Sequence, residues 1–136
     1  DETSQRLWTF SQKVSKKLPI RLPKRALTDF DLRKYAKLLN IPHFRDVFMR
    51  DDLPKDGPRK HESGIVNLDS KHGCGTHWVA YKKSNNIIRY FDSFGNLKPC
   101  SELVSYLNNC RILYNQDKYQ NLGYNCGHLC LQFLIQ

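Results

Sequence analysis

The sequence predicts an α+β fold in which a mixed β-sheet packs against a helix that begins at a cysteine. Two patterns along the chain lead to this fold class. Apolar residues recur at helical spacing near residues 30–40 and again at the C-terminal end. Between them lie short runs rich in β-branched and aromatic residues, separated by turn formers. The 136 residues suffice for one hydrophobic core and are too few for two, so one globular domain is expected.

The division of the chain follows from where these periodic patterns begin. Residues 1–27 carry a proline-punctuated basic stretch without a sustained hydrophobic period, which predicts a basic N-terminal arm. Residues 28–136 are predicted to form the globular domain. The helical apolar pattern still continues at Gln136, which indicates either a truncated C-terminus or a minimal form of the domain.

The first predicted helix begins with a capping box. Thr28 supplies the hydroxyl and Asp31 the acid three residues later, and apolar residues follow at helical spacing. This pattern predicts a helix over residues 29–40, and Pro42 ends it. The stretch over residues 43–62 is rich in charge, proline and glycine, so most of it is predicted to be loop.

Three strands are predicted in the middle of the chain. Residues 64–68 form a short apolar run that is typical of a buried strand. Residues 76–82 and 87–92 form two further β-rich runs. The polar turn formers at 83–86 lie between them and predict a β-hairpin.

The register of this hairpin decides how His77 and Asp92 are placed. A loop centred between Ser84 and Asn85 puts them directly opposite each other, with Cβ atoms about 4.5–5.5 Å apart. At that distance the carboxylate reaches an imidazole nitrogen. A loop centred one residue later makes them diagonal neighbours on the same face of the sheet.

Beyond the hairpin the sequence predicts a helix, a strand and a final helix. Residues 101–107 show apolar residues at helical spacing, and residues 111–114 are typical of a strand. The last helix starts at Cys126. Its apolar face is predicted to consist of Leu129, Cys130, Phe133 and Leu134.

Cys126 is the candidate nucleophile, because a helix N-terminus and a nearby imidazolium both stabilise a thiolate. His77 is the candidate base, and Asp92 is the group that orients it. Gly127 lacks a Cβ and is predicted to let a substrate backbone approach the sulfur. Gln120 and the free N–H groups of the first helical turn are predicted to stabilise an oxyanion.

These residues occur in motifs that resemble a known protease family. His77 lies in Gly-Thr-His-Trp-Val-Ala-Tyr, and Asp92 lies in Tyr-Phe-Asp-Ser-Phe-Gly. Cys126 lies in Asn-Cys-Gly-His-Leu-Cys, with Gln120 six residues before it. Together the motifs resemble the adenovirus protease (adenain) family and its relatives in viruses and Maverick/Polinton-type mobile elements. The order His, acid, Gln, Cys is also that of the SUMO-specific proteases, which are distant relatives.

The resemblance implies a papain-type fold and a cysteine endopeptidase that cleaves capsid-type precursor proteins after small residues such as Gly. It also implies a substrate-binding role for Trp78, beside the histidine. Cys110 lies close to where adenain has the cysteine that bonds its activating viral peptide. Stimulation by DNA and by such a peptide is implied in the same way, with no required cofactor. Adenain has a Glu where this chain has Asp92, a shorter acid that also occurs in relatives.

The composition favours a monomeric protein that is neither secreted nor embedded in a membrane. No run of apolar residues is long enough to span a bilayer. Five cysteines without a paired framework or a signal peptide favour a reducing intracellular setting, such as a host nucleus or a virion. The formal charge of +9 favours polyanions and makes non-specific DNA a predicted partner, with an ordinary solvated basic surface as the alternative.

Other functions are compatible with the same residues. His72, Cys74, His77 and Cys126 or His128 are ligand types for zinc, although their spacing fits no compact zinc pattern. A catalytically inactive descendant would keep the fold as a nucleic-acid- or protein-binding module. A SUMO- or ubiquitin-like-specific isopeptidase is a further alternative.

Overall fold

A five-stranded sheet organises the part of the chain that the structure describes. The computed structural model describes residues 18–71, 77–119 and 123–136. The elements are α1 (Asp29–Leu38), β1 (Phe44–Met49), β2 (His61–Asn67), β3 (Trp78–Ser84), β4 (Ile87–Phe91), α2 (Ser101–Tyr106), β5 (Arg111–Tyr114) and α3 (Cys126–Leu134). In these ranges no helix is long and apolar enough to cross a bilayer.

The sheet is antiparallel in its centre and parallel at both edges. Its strands are ordered as they occur along the chain, from β1 to β5. β2, β3 and β4 pair antiparallel, whereas β1 pairs with β2 and β5 pairs with β4 in parallel. The predicted α+β fold with a mixed sheet is confirmed.

α1 begins at the predicted capping box. The Thr28 hydroxyl accepts a hydrogen bond from the Asp31 N–H at 3.1 Å, and the Asp31 carboxylate accepts one from the Thr28 N–H at 2.9 Å. The helix ends at Leu38, slightly before the predicted end, because Asn40 has a φ of 52° and leaves the helical path. Leu32 is fully buried and directs one face of α1 to the core.

The prediction of loop over residues 43–62 is wrong for the first part of that stretch. β1 occupies Phe44–Met49 and pairs in parallel with β2, which itself starts at His61. The charge that suggested a loop has a partner, because Arg45 binds the buried carboxylate of Glu62 at 3.0 Å. An edge strand can hold such a residue once its charge is neutralised by the neighbouring strand.

β3 and β4 form the predicted hairpin in the second of the two predicted registers. Ser84 pairs with Ile87, so the loop has two residues and lies one position later than the first register requires. The directly opposed arrangement of His77 and Asp92 is therefore wrong, and they are diagonal neighbours. Asn85 has a φ of 55°, a left-handed conformation that asparagine tolerates and that suits a two-residue turn.

The two faces of the sheet carry separate hydrophobic cores. The first core contains Ile65 and Ala80 from the sheet and buried residues of α1 and α3. The second core contains Val66 and Val79 from the sheet and buried residues of α2. Successive strand residues point to opposite faces of the sheet, so neighbours in the sequence such as Ile65 and Val66 belong to different cores and pack against different helices.

Residues 18–27 pack against the first core, although they form neither helix nor strand. Leu27 is buried, and its carbonyl accepts a 2.9 Å hydrogen bond from the indole N–H of Trp78. The predicted domain boundary at residue 28 therefore falls inside the packed part of the chain. Residues 1–17 of the predicted arm lie outside the described ranges.

Candidate active site

The start of α3 holds Cys126 against the sheet. Seven of the nine residues of this helix are buried, which fixes it between β3 and α1. Cys126 is the first residue of the helix and is 7% exposed. Its sulfur therefore lies at the positively polarised end of the helix, where a thiolate is stabilised.

The histidine and the acid meet where the hairpin strands end. His77 directly precedes β3, and Asp92 directly follows β4. His77 Nε2 lies 2.8 Å from the Asp92 carboxylate. A carboxylate only accepts hydrogen bonds, so Nε2 carries the proton, and Nδ1 of the neutral ring is left as an acceptor. His77 also hydrogen bonds with Cys126, so the three predicted triad residues come together.

The ionisation of this group favours an ion pair. Burial opposes protonation of His77, but hydrogen bonds with Asp92 and Cys126 outweigh it and raise the His77 pKa to about 9. Burial also opposes ionisation of Cys126. Hydrogen bonds from His77 and from the backbone N–H groups of Trp78 and Gly127 outweigh it and lower the pKa of the thiol. These opposite shifts let a thiolate and an imidazolium coexist near neutral pH.

The chain is similar in fold to solved structures of a viral protease and of a SUMO protease with a catalytic cysteine. No protein-family model matches the chain, and no curated protein matches it in sequence. The chain is similar to the ASFV pS273R protease, with a TM-score of 0.53 and 17% identity over 83% of this chain and 58% of that one. It is also similar to the SUMO protease Ulp1 with its catalytic cysteine oxidised to a sulfinic acid (TM-score 0.53, 17% identity, 82% of this chain, 66% of Ulp1). Ulp1 with that cysteine oxidised to a sulfonic acid gives a TM-score of 0.53 and 16% identity over 90% of this chain and 68% of Ulp1.

This chain has the Ulp1-like cysteine protease fold. At sequence identities of 16–17%, these similarities establish the fold of the chain and nothing more. The chain spans somewhat more than half of the ASFV protease and about two thirds of Ulp1. In this Ulp1-like fold, the candidate triad lies where the cysteine helix meets the end of the central hairpin.

Phe94 covers one face of the His77 ring and was not predicted as a site residue. The two rings are stacked, with centroids 4.4 Å apart and an interplanar angle of 17°. The Phe94 N–H donates at 3.0 Å to the same Asp92 oxygen that faces His77. Phe94 is still 46% exposed. It lies two residues after the acid, inside the Tyr-Phe-Asp-Ser-Phe-Gly motif, and this motif was the signal that could have identified it as a site residue.

Trp78 and Gly127 both face the core beside Cys126. The Trp78 ring is buried in the first core. A Cβ added to Gly127 would lie 3.4 Å from the side chains of Leu27, Leu32 and Trp78, so the missing side chain faces the packed interior. A substrate backbone would not approach from that side. Substrate binding by Trp78 and Gly127 stays a prediction.

The remaining predicted residues lie either outside the described ranges or away from Cys126. Gln120 lies outside the described ranges, and its oxyanion role stays a prediction. Cys110 is half-buried against the second core, and peptide docking there also stays a prediction. His72 and Cys74, two of the residues considered for zinc, lie outside the described ranges. Among the described residues, no group of three or more His, Cys, Asp or Glu side chains is placed to hold a metal ion.

Proposed function

We propose that this chain is a cysteine endopeptidase in which Cys126, His77 and Asp92 act as the catalytic triad. The observation that carries the proposal is the row of thiol, imidazole and carboxylate, with 2.8 Å between His77 Nε2 and Asp92. The raised pKa of His77 and the lowered pKa of Cys126 support it, because they favour the reactive thiolate. The Ulp1-like fold supports it as well, since the similar structures are those of the ASFV pS273R protease and of the SUMO protease Ulp1, which has a catalytic cysteine.

Catalysis begins with transfer of the Cys126 thiol proton to Nδ1 of His77. The thiolate attacks the carbonyl carbon of the scissile peptide bond, and an oxyanion forms. His77 then gives its proton to the leaving amine as the C–N bond breaks, and a thioester remains on Cys126. Water, deprotonated by His77, hydrolyses this thioester and restores the thiol. Asp92 keeps the other ring proton on Nε2 and stabilises the imidazolium.

The oxyanion is assigned to N–H donors at the start of α3 and to the side chain of Gln120. The first-turn N–H groups of a helix have no partners within the helix, and Asn125 at the N-cap makes no side-chain capping bond. Donors of this kind stabilise the negative charge that develops in the transition state. The role of Gln120 rests on its position six residues before Cys126, as in the adenain family.

The proposed substrates are capsid-type precursor proteins, cleaved after small residues such as Gly. This choice rests on the resemblance of the motifs around His77, Asp92 and Cys126 to adenain. The reaction needs no cofactor, because the thiol supplies the nucleophile and the histidine carries the proton. DNA and a peptide bonded at Cys110 are proposed stimulants, and the monomer is the proposed active form.

A peptide library tests the proposed protease. Wild type is expected to give products whose new C-termini are small residues, and Cys126→Ala is expected to give none. Cys100→Ala is the matched control, because Cys100 is half-buried against the second core, on the other face of the sheet. Cleavage that persists in a pure Cys126→Ala sample contradicts the proposal. So does a folded wild type that cleaves nothing.

A SUMO- or ubiquitin-like-specific isopeptidase is the second candidate, and the similarity to Ulp1 favours it. Both reactions use the same triad and differ in whether the acyl group comes from a precursor polypeptide or from a folded modifier protein. Parallel incubation with precursor peptides and with SUMO conjugates separates them. Cleavage of the conjugates alone would replace the endopeptidase by the isopeptidase. A folded chain that cleaves neither but binds DNA or protein would be the inactive descendant.

A further inference from the structure

Asn115 is a buried asparagine that no step of the mechanism uses. It directly follows β5 and is 1% exposed. Its Oδ1 accepts a 2.9 Å hydrogen bond from the Asp92 N–H, and its Nδ2 donates to the Asp92 carbonyl at 2.7 Å. One side chain therefore holds both backbone polar groups of the candidate acid.

The chemistry of its partners fixes the orientation of the Asn115 amide. Asp92 offers one donor and one acceptor, so a flipped amide would set donor against donor and acceptor against acceptor. Nδ2 also donates to the Asp117 carbonyl at 3.0 Å. Both ends of the amide are thus satisfied inside the protein, as buried polar groups require.

The turn after Asp92 is fitted against the same segment. The Asn115 carbonyl accepts a 2.7 Å hydrogen bond from the Asn96 N–H. Gly95 has a φ of 79°, and a Cβ there would lie 2.5 Å from the backbone of Asp117. Only glycine allows both this conformation and this close approach. The acid and its turn are therefore docked on the residues that follow β5.

Sheet pairing ends before it reaches the acid. β4 pairs last with β5 at Tyr90 and with β3 at Phe91, so no ladder pair among the described residues includes Asp92, whose carbonyl also accepts a 2.9 Å turn hydrogen bond from the Gly95 N–H. We propose that Asn115 is a positioning residue of the proposed protease, whose side chain replaces the missing ladder and holds the Asp92 carboxylate in reach of His77. This inference rests on the proposed function.

A double-mutant cycle on the rate of Cys126 alkylation by iodoacetamide tests the inference. Peptide mapping reads which cysteine has reacted. Asn115→Ala is expected to slow alkylation at about pH 6 roughly tenfold and to move the lower midpoint of the pH profile upward, because a loosened acid stabilises the imidazolium less. In the Asp92→Asn background the same substitution is expected to add almost nothing, since its effect passes through Asp92.

Ile88→Val is the control for a general loss of packing. Ile88 lies on β4, the strand that leads to Asp92, and is fully buried in the second core. Two results overturn the inference: effects that add in the double variant, or a shift no larger than that of Ile88→Val. If Asn115→Ala fails to fold, Asn115→Ser takes its place under the same criteria. Serine adds no charge beside Asp92, and its shorter side chain does not span both backbone groups.

A kinetic readout separates positioning from a purely structural role. With a cleaved peptide, Asn115→Ala is expected to lower kcat roughly tenfold to a hundredfold and to leave KM nearly unchanged. A wild type that cleaves no peptide would refute the proposed protease. Because alkylation needs no substrate, the double-mutant cycle would still decide whether Asn115 positions Asp92. A rise in KM with unchanged kcat would overturn the positioning role.

Discussion

Replacing Asp92 by Asn tests whether the carboxylate raises the pKa of His77 and so keeps its imidazole protonated. Asparagine has the same size and can still accept hydrogen bonds from His77 and Phe94, but the negative charge is lost. A His77 pKa of about 9, against an ordinary 6.5, corresponds to about 3 kcal/mol in favour of the imidazolium. The hydrogen bond with Asp92 contributes more of this than the one with Cys126. The substitution is therefore expected to remove about 2 kcal/mol, or roughly thirtyfold in the population of the ion pair.

The assay is the rate at which Cys126 is alkylated, followed from about pH 5 to about pH 10. Near neutral pH the Asp92→Asn variant is expected to react up to roughly thirtyfold more slowly than wild type. Peptide hydrolysis is expected to fall by at least as much, because the histidine also loses its orientation. An unchanged alkylation profile in a folded Asp92→Asn protein would refute the ion-pair reasoning.

The same substitution changes how stability depends on pH. The His77 pKa is higher in the folded protein than in the unfolded chain, so protonation of His77 stabilises the fold. This contribution is complete below about pH 6.5 and is lost as the pH rises through about 9. Ionisation of Cys126, whose pKa is lowered in the folded protein, stabilises the fold as the pH rises and offsets part of this loss. Asp92→Asn removes a negative charge that favours protonation of both groups, so the unfolding free energy is expected to fall less across the window than in wild type. Urea titrations at both ends of the window measure it, and equal falls in the two proteins would count against the assignment.

Three further predictions concern the base, its aromatic cover and the basic surface. His77→Ala is expected to abolish peptide hydrolysis and to slow Cys126 alkylation at neutral pH while circular dichroism stays unchanged; rapid alkylation would contradict it. Phe94→Ala is expected to lower kcat/KM by roughly threefold to tenfold by uncovering the imidazole, with recovery in Phe94→Tyr; equal activity in all three proteins would contradict the stacking role. Labelled duplex DNA is expected to bind at low salt and to dissociate as salt rises, because Lys82 and Lys83 line an open basic cavity of about 520 Å³ at the far end of β3. Binding that is indifferent to salt would exclude this electrostatic interaction.

Local patterns were enough for the elements that carry the candidate site. The capping box at Thr28 needs only residues three apart, and the strand at 111–114 needs only a short run of suitable side chains. The helix that starts at Cys126 has the buried face that its apolar spacing predicts. Cysteine and histidine motifs in a fixed order were therefore enough to name the triad candidates.

Features that depend on contacts between distant segments could not be predicted. β1 was missed because the charge of Arg45 is neutralised by Glu62, which only the folded sheet brings next to it. The hairpin register depended on whether the loop was centred one position earlier or later, which the run of polar turn formers left open. Asn115 lies 23 residues from Asp92, and no local period connects them. Its contribution is visible only where the two backbone segments meet.

The most direct test of the central claim is to trap the acyl group on the enzyme. A cleavable peptide is mixed with wild type and quenched in acid, and intact-mass and peptide-mapping mass spectrometry locate the added acyl mass. The proposed mechanism predicts a thioester on Cys126 in wild type and none in Cys126→Ala. Cleavage that proceeds with no acyl group on Cys126, or equally fast in Cys126→Ala, would contradict it.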